Sequence, residues 1–512
     1  MKRQSESSLS IAEIISIVLL TALFLGITIW MVIPAPAVGF YWDDNWYLLM
    51  AEWLTPDSQY RGLSIAMMGV TSYPPLFSFL ISLSGSGLLD QQSAFVMNAF
   101  FLAFATGVAM LWFAREGFST VTMTIAAMLM VFNPVTLGYL PILYSEFLFI
   151  FLSTSALAMT VVEREWKWNS KWLAIGVIVG LSVATRTAGW SLVVGLILHL
   201  IFNRRLLPVV AFIIGLAIGL LTIPFLTVGL PSPEVNYMDQ LTRNMDNLGW
   251  SFVVQQLQGL IIGWSMLWGW GVGAWLAAIA VLPGFVVRVK ANRADAWFVL
   301  VYLGMLLIWP WPGHMGRFLW PLLPCFLVAA YSSFKLLRNP RARSVLASVI
   351  LGLIFVTSIP DGIGRSVKQL LNPPAGELAQ LSRMQEWTRS STREEGMAKL
   401  RDRQQLLKDM QKINDIVDIK ACIFSEMSGL VAVQTQRVAF PSLWKSLDQV
   451  KLTQSSCKYY YMLPETFRGA SIEDVNRFAA MHEELFRSFT PDGSEGKMPL
   501  GVFLRFRHST TK

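Results

Sequence analysis

Residues Ser10 to Leu54 read SIAEIISIVLLTALFLGITIWMVIPAPAVGFYWDDNWYLLMAEWL. The run from Ile11 to Ile33 carries a single charge, Glu13, and is long enough as a helix to cross a hydrocarbon core of about 30 Å. Lys2 and Arg3 precede it and no small-residue cleavage site follows, so it reads as an uncleaved first span rather than a signal peptide. Just past it stand two adjacent carboxylates, Asp43 and Asp44, framed by Trp42, Trp46 and Tyr47.

Working outward, the chain repeats this pattern. Of its 512 residues 54% are hydrophobic and 14% charged, which is too apolar for a soluble protein and places it among polytopic membrane proteins. Apolar runs follow at Ser93–Ala114, Phe118–Phe132, Leu140–Val162, Trp172–Ala184, Ala188–Phe202, Leu206–Leu230, Leu260–Leu282, Ala296–Trp311, Phe318–Leu337 and Ser344–Ile359. The expected fold class is thus an α-helical polytopic membrane protein of about 11 transmembrane helices, with a membrane domain over residues 1–360. The two runs between Trp172 and Phe202 are short and read equally well as broken helices. The 20 tryptophans, many near the ends of runs, fit interfacial belts.

Loop charge sets an orientation. Alternate loops collect Lys2 and Arg3, Arg115, the stretch EREWKWNSK, Arg204 and Arg205, RVKANRAD and KLLRNPRAR, while Arg61, Arg186, Arg243 and Arg317 lie in the opposite, poorer set. The N-terminus is therefore expected in the cytoplasm of an inner (plasma) membrane protein. The first exported loop, residues 34–92, then lies outside, as does the chain after Pro360. The formal charge of +8 suits basic cytoplasmic loops and anionic lipids, and no basic, aromatic-interleaved soluble stretch points to nucleic acid.

Residues 361–512 change composition. A charged stretch from Gly376 to Val417 has helical periodicity, and KACIFSE, RVAF and CKYYYML are short β-type runs, so a small extracytoplasmic α/β domain is expected. Cys422 and Cys457 both fall there, either as a disulfide or as two buried thiols, while Cys325 lies in a span. No Cys/His cluster has zinc-ligand spacing and no glycine-rich nucleotide loop occurs, which argues against a nucleotide-driven pump.

Several polar residues stand where apolar ones would be cheaper. Asp43 and Asp44 together offer a general base whose neighbour tunes its pKa, or two oxygen ligands for a divalent cation such as Mg or Mn; helix capping explains one of them. Glu146 sits at or inside the outer end of the fourth span, where a carboxylate is expensive and suggests a polar cavity. Arg186 and Arg317 interrupt apolar stretches on the same expected side; a guanidinium keeps its charge and binds phosphate bidentately, although snorkelling to head groups is the plainer alternative. His314 precedes Arg317 by one turn, for phosphate contact or interfacial packing. Tyr47 and Tyr73 are candidate substrate contacts, and the Pro74-Pro75 step forbids a continuous helix, which suggests a short interfacial helix or a plain turn after it. Glu234, Asp239, Arg243 and Asp246 read as a solvated loop.

In this order, these elements resemble the GT-C superfamily of polyprenyl-phosphate-sugar-dependent glycosyltransferases, nearest its protein-mannosyltransferase and aminoarabinose-transferase branch. The pattern D-E-x-x-Y-x-x-x-A matches Asp43, Asp44, Tyr47 and Ala51, with Asp in place of the second acid. Pro74, Pro75 and Leu76, then Ser145 and Glu146, then Thr185, Arg186 and Gly189, and finally Arg317, Phe318, Pro321 and Pro324 match the later motifs. The resemblance covers residues 10–340 and reaches the tail only loosely.

It implies an inverting sugar transfer outside the cytoplasm, from a polyprenyl-phosphate-linked donor to a hydroxyl on a lipid, glycan or protein acceptor. Asp43 would be the base and Asp44 its helper or fellow metal ligand. Arg186, Arg317 and His314 would hold the donor phosphate, and Glu146 would line the pocket. The competing class is a transporter or flippase for a lipid-linked or anionic substrate, which would use the same arginines. It needs no acidic pair in an exported loop.

Overall fold

The computed structural model describes residues 9–34, 38–61, 63, 73–85, 87–88, 90–161, 168–228, 249–269, 271–309, 311–335, 337, 339–358, 371–374, 376–381, 384, 392–441, 457–464, 471–489 and 498–506. The expected domain boundary at 360/361 and the loop holding Glu234, Asp239, Arg243 and Asp246 lie outside the described residues.

The first half of the helical region runs α1 (Ile11–Val32), α2 (Trp42–Leu54), α3 (Leu76–Leu83), α4 (Gln92–Glu116), α5 (Thr120–Val131), α6 (Pro134–Tyr139), α7 (Glu146–Val161), α8 (Trp168–Thr185) and α9 (Gly189–Phe202). It continues with α10 (Leu206–Leu220), α11 (Thr222–Thr227), α12 (Trp250–Trp268), α13 (Val272–Lys290), α14 (Ala294–Leu307), α15 (Met315–Leu319), α16 (Leu323–Phe334) and α17 (Pro340–Ser358). Among the described residues seven segments are long and apolar enough to cross a membrane: Ile11–Val32, Gln92–Glu116, Thr120–Tyr139, Leu206–Thr227, Val272–Lys290, Pro312–Phe334 and Pro340–Ser358. Four shorter apolar helices, α7, α8, α9 and α14, stand among them, below the length of a full span, so the count by length is seven against the expected count of about eleven. Pro312–Phe334 is the centre of the bundle, 94% of its most apolar stretch being enclosed, against 22% for the first and the last of the seven.

Local chemistry explains where the helices start. Ser10 caps α1 by accepting from Glu13 N, while Glu13 Oε2 accepts from Ser10 N at 2.8 Å. Asn133 does the same for α6, accepting from Val135 N at 2.8 Å, with Pro134 as its first residue.

Two expectations change. The run Leu260–Leu282 is no single span: α12 ends at Trp268, Gly269 and Gly271 take φ of +78° and +77°, and α13 begins at Val272. Left-handed backbone at two glycines ends one helix and redirects the next. The helix α12 packs back onto the start of the central segment, with Gly259 against Pro312 and Gly263 against Met315, and Gln256 Nε2 donates to Trp309 O at 2.7 Å. The run Leu140–Val162 becomes helical only at Glu146, leaving 140–145 as an irregular approach. The short helix expected after Pro74-Pro75 is α3, with Leu76, Phe77, Ser78 and Ile81 buried where it packs on α2.

At the end of the bundle remote from α2, a second set of charges is enclosed. Arg288 on α13 binds Asp295 bidentately at 2.6 and 2.7 Å, and reaches Glu116 Oε1 at 3.0 Å and Ser332 Oγ at 3.1 Å. Arg293 and Lys335 also close on Glu116, at 2.6 and 2.7 Å. This knot ties the ends of α4, α13 and α16 to the start of α14.

The C-terminal region contains α18 (Arg393–Ile416), α19 (Ser428–Thr435) and α20 (Ile472–Ala480) around strands β1 (Cys422–Ser425), β2 (Val438–Pro441), β3 (Tyr459–Met462), β4 (Glu483–Ser488) and β5 (Gly501–Arg505). The strand order is β2-β1-β3-β5-β4; β1 runs parallel to β2 and β3, and β5 antiparallel to β3 and β4. The charged helix and the first three strands are those expected from sequence. Cys422 and Cys457 form a disulfide, tying β1 to the start of β3. On the sheet face, Asp409 of α18 accepts from Tyr461 Oη at 2.7 Å and Ser488 Oγ at 2.5 Å, joining the helix to two strands.

Candidate active site

Asp43 and Asp44 lie in the first turn of α2, where the free N–H groups and the helix dipole favour anions. Consecutive residues on a helix point about 100° apart, and the two side chains accordingly find different partners. Asp43 faces the bundle: its Oδ1 accepts from Tyr73 Oη at 2.6 Å and its Oδ2 lies 2.5 Å from Arg317 Nη2. Asp44 turns to its own entry loop, accepting from Gly39 N at 3.1 Å and Asn45 N at 2.7 Å.

Arg317 is the hub. Its Nε donates to Glu146 Oε1, and its guanidinium lies flat over the Tyr144 ring, Cζ at 3.7 Å from the centroid. Glu146, fully buried at the start of α7, presents Oε2 to Arg186 Nη1 at 2.6 Å. Arg186 stands in the break between α8 and α9 and donates through Nη1 to Ser145 Oγ at 3.2 Å; Ser145 shares a 2.7 Å hydrogen bond with Tyr47 Oη. The Tyr47 ring meets Tyr73 and Phe77 edge-on, at 5.3 and 4.9 Å. Acid and base therefore alternate as Asp43, Arg317, Glu146, Arg186, on four segments scattered over 43 to 186 to 317 in the chain.

The electrostatics separate the two aspartates. Burial pushes Asp43 up, but Arg317, the Tyr73 hydroxyl and Arg186 together outweigh it and hold the carboxyl below 3.8. Burial pushes Asp44 well above that value, with the charge of Asp43 adding to it and the amides of Gly39 and Asn45 opposing. Burial likewise raises Tyr47, so its hydroxyl stays protonated.

Six of the eight residues singled out from sequence converge here: Asp43, Tyr47, Tyr73, Glu146, Arg186 and Arg317. Asp44 is adjacent but turned away. His314 sits exposed on the turn before α15, its ring 6.4 Å from that of Phe318. The sequence reading missed the part of Tyr144 and gave Ser145 no task; the signal was an aromatic and a hydroxyl immediately before an enclosed glutamate. A divalent cation shared by Asp43 and Asp44 does not fit this donor set. Both oxygens of Asp43 are engaged by a hydroxyl and a guanidinium, Asp44 faces backbone amides, and no group of three or more His, Cys, Asp or Glu suited to a metal occurs among the described residues.

No family model and no curated protein matches the chain significantly. Among solved structures it resembles ArnT from Cupriavidus metallidurans in the apo state, with a TM-score of 0.54 and 12% identity over 95% of this chain and 97% of that one. The same protein bound to undecaprenyl phosphate matches with a TM-score of 0.54 and 12% identity over 98% of this chain and 99% of that one. Arabinofuranosyltransferase AftD from Mycobacteria aligns with 98% of this chain but 40% of its own length, at 13% identity and a TM-score of 0.46. The ArnT likeness covers both the helical region and the sheet, with a common architecture rather than a common sequence. The likeness is one of fold, that of a multi-pass helical membrane protein carrying a small C-terminal sheet.

Proposed function

We propose that the chain is an inverting glycosyltransferase that moves a sugar from a polyprenyl-phosphate donor to an acceptor hydroxyl on the extracytoplasmic side of the membrane. The observation that carries this reading is the buried Asp43–Arg317–Glu146–Arg186 alternation at one end of the bundle. Two guanidiniums at one place suit a phosphate, and a carboxylate touching one of them suits a base beside the leaving group. The ArnT structure with undecaprenyl phosphate supports a lipid phosphate as the ligand of this fold.

In the reaction the acceptor oxygen attacks the anomeric carbon and forms the new glycosidic bond. Its proton passes to Asp43, and the bond from the anomeric carbon to the phosphate oxygen breaks. Negative charge grows on the departing lipid phosphate, where Arg186 and Arg317 neutralise it. In the resting site Arg317 holds Asp43 as a weak base. A donor phosphate competes for that guanidinium and so lets the basicity of Asp43 rise only when the donor is present. Glu146 keeps both arginines aimed, Tyr73 orients Asp43, and Asp44 shapes the loop. The oxidising side of the membrane suits the Cys422–Cys457 disulfide.

The test uses purified full-length protein with a panel of undecaprenyl-phosphate-linked pentoses and hexoses, and scores transfer to envelope lipid, glycan and protein acceptors. Wild-type protein is expected to turn over one donor and Asp43→Asn none. Turnover by Asp43→Asn overturns Asp43 as base. Lipid movement across vesicles without transfer makes the protein a flippase instead.

A further inference from the structure

The N-cap residue of α2, Tyr41, makes no side-chain capping bond, and the Asp44 carboxylate accepts from the Tyr41 and Gly39 amides. The turn that aims Asp43 is gripped from the sheet domain as well. Gln434 Nε2 on α19 donates to Val38 O at 2.8 Å. A Cβ on Gly429 would collide with the side-chain amide of Asn45, so a larger residue there would have to displace the side chain two places after Asp43. On the other side, a Cβ on Gly39 would lie 3.1 Å from the Cα of Leu430, and Gly39 takes φ of +104°. The Arg403 guanidinium on α18 lies 5.1 Å from the Phe40 ring centroid. From within, the Asp44 carboxylate ties Gly39 N to the helix.

The geometry points to the sheet domain as a positioning clamp: α19, through Gly429 and Gln434, sets residues 38–45 so that Asp43 meets Arg317. Neither residue touches the charge chain, so both act only through α2. The inference rests on Asp43 being the base. Its physical basis is that an error of about 1 Å in a reacting group costs up to about a hundredfold in rate, and the N-cap residue Tyr41 adds no side-chain bond of its own to fix the turn. The clamp is thereby a device for holding a base on a loop with the precision of a core residue.

The experiment takes the full-length protein and the donor turned over in the panel above, with undecaprenyl phosphate as the binding probe. Gly429→Val is expected to lower kcat at least about tenfold while undecaprenyl phosphate binding is retained. Adding Asn45→Ala, which vacates the volume that the larger side chain at position 429 would need, should recover most of that loss. Gln434→Ala removes one hydrogen bond without adding volume and is expected to lower kcat about threefold; it decides the matter if Gly429→Val fails to fold. Wild-type kcat in Gln434→Ala together with either wild-type kcat in Gly429→Val or no recovery in the double variant overturns the clamp. If Asp43→Asn is inactive while the clamp variants are normal, the clamp alone falls. If Asp43→Asn remains active, the reading of the base falls instead.

Discussion

The bundle encloses two sets of charges, and they are built differently. In the set around Arg288, the guanidinium spends its donors on Asp295, Glu116 and Ser332, and Glu116 gathers three cations. In the set around Arg317, Arg186 Nε has no hydrogen-bond partner among the described residues. Glu146 Oε2 contacts Arg186 at 2.6 Å without a well-directed hydrogen bond. Arg317 and Lys335 bracket one helical run, about 27 Å apart along it at about 1.5 Å per residue. The saturated knot is complete as it stands and has nothing left to offer a ligand. The unsaturated one keeps a buried donor, Arg186 Nε, in reserve, and a buried donor kept in reserve is a cost that stability alone does not explain.

The predictions are ways to break that contrast. The largest effect is expected at the unsaturated set: Arg317→Ala should lower kcat/KM by about a thousandfold or more, measured by transfer kinetics, since it removes the partner of both Asp43 and Glu146. Equal losses in Arg288→Ala would erase the distinction. Arg288→Ala should instead destabilise the protein by about 3–5 kcal/mol, read from thermal or denaturant unfolding in detergent, with activity per folded molecule preserved. Next, Arg186→Lys keeps the charge but loses the planar fork; it should raise the KM for donor about tenfold with a smaller change in kcat. Breaking the disulfide with Cys422→Ser, whose loop spans 35 residues, should cost about 2–4 kcal/mol in the sheet domain and shift unfolding without touching donor KM.

The smallest expected effect is in pH dependence. Asp43 is held below its ordinary 3.8, so its ion pair contributes stability that is present above that value and is lost only as pH falls through the lower folded value. The stability difference between wild type and Asp43→Asn should therefore be flat from about pH 5 to 8. A slope in that window, seen by melting temperature across buffers, would mean that Arg317 does not hold the carboxylate. Turnover with and without a chelator checks the donor-set argument, and unchanged turnover is the expected result.

Much of this was legible in the chain. Composition and run length announced the membrane bundle because the bilayer demands uninterrupted apolar helices, and a carboxylate or guanidinium inside such a run is conspicuous against it. For that reason Glu146, Arg186 and Arg317 stood out, as did the first three strands through their short β-branched and aromatic runs. Arg288 and Asp295 escaped notice because RVKANRAD also fits a basic loop; only the fold shows them buried and paired. The break at Gly269–Gly271 was hidden inside a run whose hydropathy is continuous, since hydropathy does not record φ.

By itself, then, the sequence determined which residues are costly and therefore purposeful, and that the chain lives in a membrane, because both follow from transfer free energies of single side chains. Tertiary structure alone decided which of the two aspartates faces the arginines, and that a distant helix of the sheet domain packs against the turn that carries it. Those outcomes depend on the roughly 100° step between neighbours on a helix and on a glycine contact across 384 residues of chain, from Asn45 to Gly429. No local pattern encodes either.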